Sequence, residues 1–249
     1  MQNADELANA NLVKKPDGYY LKVTAFINKE NFKEIKKNGK EIGLDFGIKT
    51  SITTSEGEKL DVSIEESERL KKLQREMFRR VKGSNNRHKT IKLIQREYQK
   101  LSNIKQDKAN KIVSKLKKYD RIYMQDEQLS NWHKGLFGKQ VQHSCLGTVK
   151  AKLKILPQTV VLDKWIPTTK LCPKCGTVNK HITLADRIVV CDCGYQEDRD
   201  VHSAKNMIFI AKSCFKNHLV PPEQREVTLT EFRASALGSN AYEKAGTKK

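Results

Sequence analysis

Hydrophobic positions change their period several times along this chain. Residues 1–17 are polar, show no clear period and read as a tail. Residues 18–27 (GYYLKVTAFI) are rich in aromatic and β-branched side chains and predict a strand. A second strand is expected to end near Phe46, with a return strand through Ile52 and a turn at residues 55–57. From 64 to 118 the period becomes helical. Leu70, Leu73, Met77 and Val81 form one series, Ile91, Ile94 and Leu101 a second, and Ala109, Ile112, Val113 and Leu116 a third, with a break at residues 83–86 after the first. Residues 120–129 predict a strand running from apolar positions into Asp126 and Glu127, followed by a loop holding Trp132, His133 and Lys134. A short basic helix over 148–156, a strand over 159–165 and a last helix reaching about Phe215 complete the pattern. Residues 217–249, with Pro221, Pro222 and a Gly/Ser/Lys-rich end, read as a flexible tail, and no internal repeat is visible.

Two features break the apolar pattern in ways that carry chemistry. Asp45 lies inside an apolar strand between Gly43 and Gly47. A charge there is costly unless it is paired or binds a cation, although alternation also allows the wet face of an edge strand. Asp126 and Glu127 stand at the carboxyl end of a strand, where α/β sheets place ligand chemistry. Asp200, in Asp198-Arg199-Asp200, opens the last helix ahead of His202, Ala204 and Asn206. These acids are distant in sequence, so only a fold could join them. Converging carboxylates would bind hard divalent cations such as magnesium or manganese. Two such ions about 4 Å apart can activate water and stabilise a leaving oxygen in phosphodiester hydrolysis. The second feature is the set Cys172, Cys175, Cys191 and Cys193, two close pairs separated by the loop 176–190, which suits a tetrahedral structural zinc. Cys145 and Cys214 stand alone and read as small buried hydrophobes, and His133 as a surface histidine.

Charge narrows the class of partner. The 249 residues carry 48 Lys and Arg against 29 Asp and Glu, a formal net charge of +19. Such an excess points to a polyanion, of which nucleic acid is the commonest. Within the helical stretch Arg75, Arg79, Arg80, Lys82, Arg87, Lys89 and Lys92 mark a face with a sign imbalance that favours phosphate contact. No long apolar run or basic amphipathic anchor argues for a membrane. Cysteines in a metal-type arrangement argue for a reducing compartment.

Three segments together resemble a known family. Ile42-Gly43-Leu44-Asp45-Phe46-Gly47, Ile122-Tyr123-Met124-Gln125-Asp126-Glu127-Gln128-Leu129, and the run from Asp198 to Asn206 just after the four cysteines resemble the split RuvC nuclease of TnpB, the transposon-encoded RNA-guided nuclease. Its relatives, the compact type V CRISPR effectors, share the pattern. The likeness covers about residues 18–210. It implies an α/β fold: an RNase H-like (RuvC) mixed sheet with inserted helices and a small four-cysteine zinc ribbon. It implies a nuclease domain over 18–171 with a helical insertion at about 64–118, the ribbon at 172–194, a last nuclease segment at 195–216, and tails at 1–17 and 217–249. Asp45, Glu127 and Asp200 would be catalytic, metal-binding acids for magnesium or manganese, and Cys172, Cys175, Cys191 and Cys193 zinc ligands. DNA would be the substrate and an RNA the guide, in the nucleoid-associated cytoplasm of a bacterial or archaeal cell.

Four departures stand beside the likeness. Asp126 competes with Glu127 for the second acid, and Glu127-Gln128-Leu129 keeps the family's Glu-x-Leu frame. The second cysteine pair is C-x-C rather than C-x-x-C, and His202 stands where Asn is frequent. The family's long N-terminal region does not precede the nuclease segment here, as in a fragment, a truncated copy or the product of an internal start. An alternative is a nuclease-inactive zinc-ribbon nucleic-acid-binding protein, a repressor or transposon remnant. Such relatives would be expected to lose acids, whereas all three positions are acidic here. A DNA-joining transposase shares the acid-and-magnesium chemistry, but the ribbon beside the third acid fits it less well.

Overall fold

The computed structural model describes residues 4–28, 35–47, 51–127, 129–134, 137–183 and 185–216. The chain divides into two compact units, one built from 1–36 and 64–108, the other from 37–63 and 109–249. The C-terminal tail expected over 217–249 lies outside the described residues.

In the first unit β1 (Glu6–Lys15) and β2 (Gly18–Phe26) form an antiparallel hairpin. Most of the stretch expected to be a tail is therefore a strand. Its side chains show little apolar alternation, and the ladder, with Leu12 opposite Leu21 and Val13 opposite Tyr20, defines it instead. β2 pairs with β1 and is not a strand of the larger sheet. Helix α1 (Glu68–Arg79) starts where Ser67 Oγ accepts the Leu70 N–H at 3.2 Å, an N-cap that satisfies one orphan donor. It buries Leu70 and Leu73 against Ile94 of α2 (Asn85–Leu116). The second and third apolar series thus share one continuous helix, because no Gly or Pro interrupts 101–109. Val81 leaves the helical pattern and is exposed.

The second unit holds the last turns of α2 and a five-stranded mixed sheet. Its strands are β3 (Glu41–Gly47), β4 (Ser51–Thr54), β5 (Lys59–Leu60), β6 (Arg121–Gln125) and β7 (Thr159–Leu162), in the order β5-β4-β3-β6-β7. β3, β4 and β5 are antiparallel neighbours, whereas β6 runs parallel to both β3 and β7. Alternation gives β3 two different faces. Ile42, Leu44 and Phe46 join Ile52, Ile122 and Met124 in a core closed by Ala109, Ile112, Val113 and Leu116, and by Leu146, Val149 and Leu153 of α5 (Leu146–Lys154). Gly43 and Asp45 face the other way, toward α6 (Arg199–Lys216). There Tyr123, Leu162, Ile166 and Leu171 pack with Met207, Ile210 and Ala211. The expected loop after β6 is instead the short helix α3 (Leu129–Lys134), and α4 (Gly138–Gln142) precedes α5. The packing of Leu129 and partly buried Trp132 against the first core is what turns this segment into a helix. The His133 side chain lies outside the described residues. β8 (Ile188–Val190) and β9 (Gln196–Asp198) form a separate hairpin that leads directly into α6.

Candidate active site

Parallel register puts two of the three acids on neighbouring strand ends. Leu44 is level with Met124, so Asp45 is level with Gln125 and Glu127 lies just past the end of β6. Asp45 is half-buried, and Ser203 on α6 donates its hydroxyl to Asp45 Oδ1 at 3.0 Å. Burial, opposed in part by that hydrogen bond, pushes the Asp45 carboxyl up to about 6, and the negative charge of Asp200 pushes the same way. Glu127 is raised well above the usual carboxylate range, first by burial and then by the charge of Asp45. Its Oε2 is buried and has no hydrogen-bond partner among the described residues.

The third acid is presented by the first turn of α6. Asp198 Oδ1 accepts the N–H of Asp200 at 3.0 Å and of Val201 at 3.3 Å, capping the helix. The Asp200 side chain is held 3.6 Å from the Arg199 guanidinium. α6 reaches this position because Gly43 has no side chain: a Cβ there would meet Ala204 O at 1.8 Å. Glycine in this strand therefore serves the approach of a helix backbone. Asp126, the rival second acid, is exposed and pairs with Lys154.

Several residues escaped sequence reasoning. Lys150 is buried on α5, donates to the Glu127 carbonyl at 2.6 Å, and lies 5.3 Å from the centre of the Phe46 ring. Burial lowers its pKa, and the Glu127 carboxylate opposes that shift. Its signal was a lysine one position after Val149 on the apolar face formed by Leu146, Val149 and Leu153. Ser203 continues inward, with Thr168 Oγ1 at 3.0 Å and, beyond it, Gln125 Oε1 at 3.4 Å from that threonine. No local pattern singles out Ser203 or Thr168.

The four cysteine sulfurs all lie within 4.8 Å of one another. Cys172 and Cys193 are 3.6 Å apart, as are Cys175 and Cys191. A tetrahedron with Zn–S bonds of about 2.3 Å has an S···S edge of about 3.8 Å, so the donor set and its size fit zinc. Burial pushes the Cys172 thiol up to about 12, so holding it as thiolate calls for a cation. Each knuckle closes on a glycine at positive φ. Gly176 donates to Cys172 O at 2.9 Å with φ 75°, and Gly194 donates to Cys191 O at 2.9 Å with φ 81°. The C-x-C pair thus makes the same kind of turn as C-x-x-C, one residue shorter. Among the described residues these cysteines are the group of three or more ligand side chains gathered tightly enough for one ion; the three carboxylates are not so gathered.

The residues flanking the ribbon are bonded to the helix that carries Asp200. Asn206 Nδ2 donates to Leu171 O at 2.6 Å and to Thr168 O at 2.7 Å, and lies 2.9 Å from His202 Nε2. His202 is fully buried, and its Nδ1 meets the Tyr195 hydroxyl at 3.4 Å.

The basic residues expected to face nucleic acid divide into two sets. Arg75, Arg79, Lys82, Lys89 and Lys92 are exposed. Arg80 pairs with Glu76 and donates to Asn86 O, while Arg87 donates to Met77 O at 2.9 Å and Arg80 O at 3.2 Å, closing the end of α1.

Two of the acids thus stand at adjacent strand ends, the third at a helix start, and the four cysteines precede that helix in the chain. Residues 23–124 match the OrfB_IS605 family, described as a probable transposase, and residues 148–207 match the Cas12f1-like TNB domain. A Streptomyces pristinaespiralis protein provisionally named RNA-guided DNA endonuclease is 31% identical over 67% of this chain and 44% of its own length. The Escherichia coli K12 protein InsQ, with the same provisional name, is 28% identical over 67% of this chain and 48% of its own length. The chain is similar to this OrfB, or TnpB-like, family over those two stretches. It spans about half the length of these curated relatives.

Proposed function

We propose that this chain is the RuvC-like nuclease part of a TnpB-type DNA endonuclease that hydrolyses phosphodiester bonds with Asp45, Glu127 and Asp200 as its catalytic acids. The observation that carries this reading is the buried Glu127 Oε2, without a hydrogen-bond partner among the described residues and raised in pKa by Asp45, which itself feels the charge of Asp200. Buried carboxylates that raise one another's pKa are costly unless a cation compensates them. Three carboxylates make an all-oxygen donor set, the preference of magnesium and manganese. Two ions need not draw three acids into mutual contact, so acids that bracket a site rather than touch across it are compatible with such a centre. Bound there, hard divalent ions supply an activated water and neutralise charge on the leaving oxygen.

The chain's own side chains do the positioning. Ser203 orients Asp45 through Oδ1. Lys150 holds the Glu127 backbone, and the Asp198 cap aims the first turn of α6. Glu127 is the better second acid, because Asp126 is exposed and engaged by Lys154. The strand order, with three antiparallel neighbours and two parallel additions, supports an RNase H-like sheet. The unit of 37–63 and 109–216 would be the nuclease, with the 64–108 segment inserted between its first two acidic strands. Zinc on the four cysteines would fix the ribbon ahead of Asp200.

The names of the relatives support DNA as substrate and an RNA as guide. Among the described residues no helix is long and apolar enough to cross a membrane, and the family's bacterial members support action at the nucleoid in the cytoplasm. Cleavage of labelled single- and double-stranded DNA in magnesium, with and without co-purified RNA, tests the reading. Cutting that an Asp200→Ala variant abolishes is the expected result; tight, salt-sensitive binding without cutting would overturn it in favour of a binding protein.

A further inference from the structure

Trp165 is 68% exposed, on the loop that leaves the carboxyl end of β7. A large aromatic ring in water is unfavourable, yet the loop that presents it is firmly built. Gln125 Nε2 donates to Asp163 O and to Ile166 O, both at 2.9 Å, and so clamps the backbone on either side of the tryptophan. The Trp165 N–H is held by Asp163 Oδ1 at 2.8 Å, and the Ile166 side chain is buried in the core against α6. Downstream, Thr168 N donates to Ile166 O at 2.8 Å, and Thr168 Oγ1 touches Ser203, the residue bonded to Asp45. The clamp residue Gln125 stands two positions before Glu127 and level with Asp45 on the next strand. The exposed ring is thus fastened through Gln125 and Thr168 to the framework that holds two of the acids. Lys164 places its ammonium 4.8 Å from the centre of the indole ring.

A rigid aromatic ring beside a cation is the surface that single-stranded nucleic acid uses: the base stacks and the phosphate meets the charge. We propose that Trp165, with Lys164, is the stacking platform for an unpaired nucleobase of the strand entering the acidic site. The net charge of +19 favours a polyanionic occupant over an apolar one. The inference rests on the nuclease reading for what the strand is doing there, but its test does not depend on cutting.

The chain has two tryptophans, Trp132 and Trp165. In the full chain carrying Trp132→Phe, emission from Trp165 is followed during titration with a short oligothymidylate in calcium, then with an oligouridylate and with a blunt duplex. Stacking predicts quenching by the single strands and little by the duplex; the thymidylate and uridylate arms show whether DNA or RNA is preferred. Fluorescence anisotropy of labelled oligothymidylate on otherwise unaltered protein gives an independent reading. Trp165→Leu should weaken binding about 5- to 100-fold, while Trp165→Tyr retains most of it. A structural role for an exposed side chain would not separate leucine from tyrosine in this way. Oligonucleotide bound with normal affinity by Trp165→Leu, and no quenching in the Trp132→Phe protein, would overturn the platform while leaving the nuclease reading intact. Absence of any binding by anisotropy would overturn both.

Discussion

At the scale of single residues, the site is defined by where charge is held against its preference. Asp45 and Glu127 both have folded pKa values above their unfolded ones. The stability they allow is fully present below the unfolded carboxylate range and is lost as pH rises through the folded values, about 6 for Asp45. Without magnesium the protein should therefore melt at lower temperature at pH 8 than at pH 5. Asp45→Asn should narrow the gap, adding roughly 1–3 kcal/mol at pH 8 while lowering cleavage at least ~100-fold. Magnesium should raise the melting temperature of the unaltered chain and much less that of the variant; equal responses in calorimetry would count against Asp45 as a metal ligand. Lys150→Met should leave the Glu127 carbonyl without its buried donor and raise the magnesium concentration needed for half-maximal cleavage. Lys150→Arg should restore part of that response. An unchanged magnesium requirement in the methionine variant would show that the lysine only packs.

At the scale of elements, the contact between β3 and α6 decides whether Asp45 and Asp200 belong to one site. Gly43 lies against the backbone of Ala204, and that backbone cannot retreat without shifting Ser203 and the first turn of the helix. Gly43→Ala should cost about 3 kcal/mol or more in urea denaturation and should abolish cleavage. A variant that is as stable and active as the parent would mean that helix and strand are further apart. The cysteine ribbon meets the same helix through Asn206, whose amide donates to Leu171 O next to Cys172. Zinc binding energy is folding energy for such a loop, so chelation should speed amide exchange over 172–198 and spread into 200–206. Exchange confined to the knuckles would show that the ribbon folds without supporting the acid.

At the scale of the whole molecule, charge sets the partner and its salt dependence. Removing one cation that neutralises a phosphate should flatten the dependence of log K on log salt by about 0.9 for duplex DNA. Arg75→Ala and Lys89→Ala should do this with little change in stability, since both side chains are exposed. Arg87→Ala should instead destabilise the end of α1, because its guanidinium serves Met77 O and Arg80 O. If Arg87→Ala changed only the salt slope, this division of the basic residues would be wrong.

Much of the second unit was legible in local pattern, because its strands and helices carry their own periods and Cys172, Cys175, Cys191 and Cys193 carry their own spacing. The hairpin strand β1 was not, since its order comes from pairing with β2 rather than from an apolar face of its own. The continuity of α2 and the helical turn at α3 were likewise matters of packing. The sequence by itself determined the chemistry available: carboxylates at strand ends and a helix start, thiols in pairs, and a large positive excess. Only the tertiary structure decided that Asp45 and Glu127 are neighbours, that Asp126 faces Lys154 instead, and that Ser203, Thr168 and Lys150 surround the acids. The reason is that these relations join side chains from strands and helices far apart in the chain, where burial and parallel register, not local propensity, set the distances.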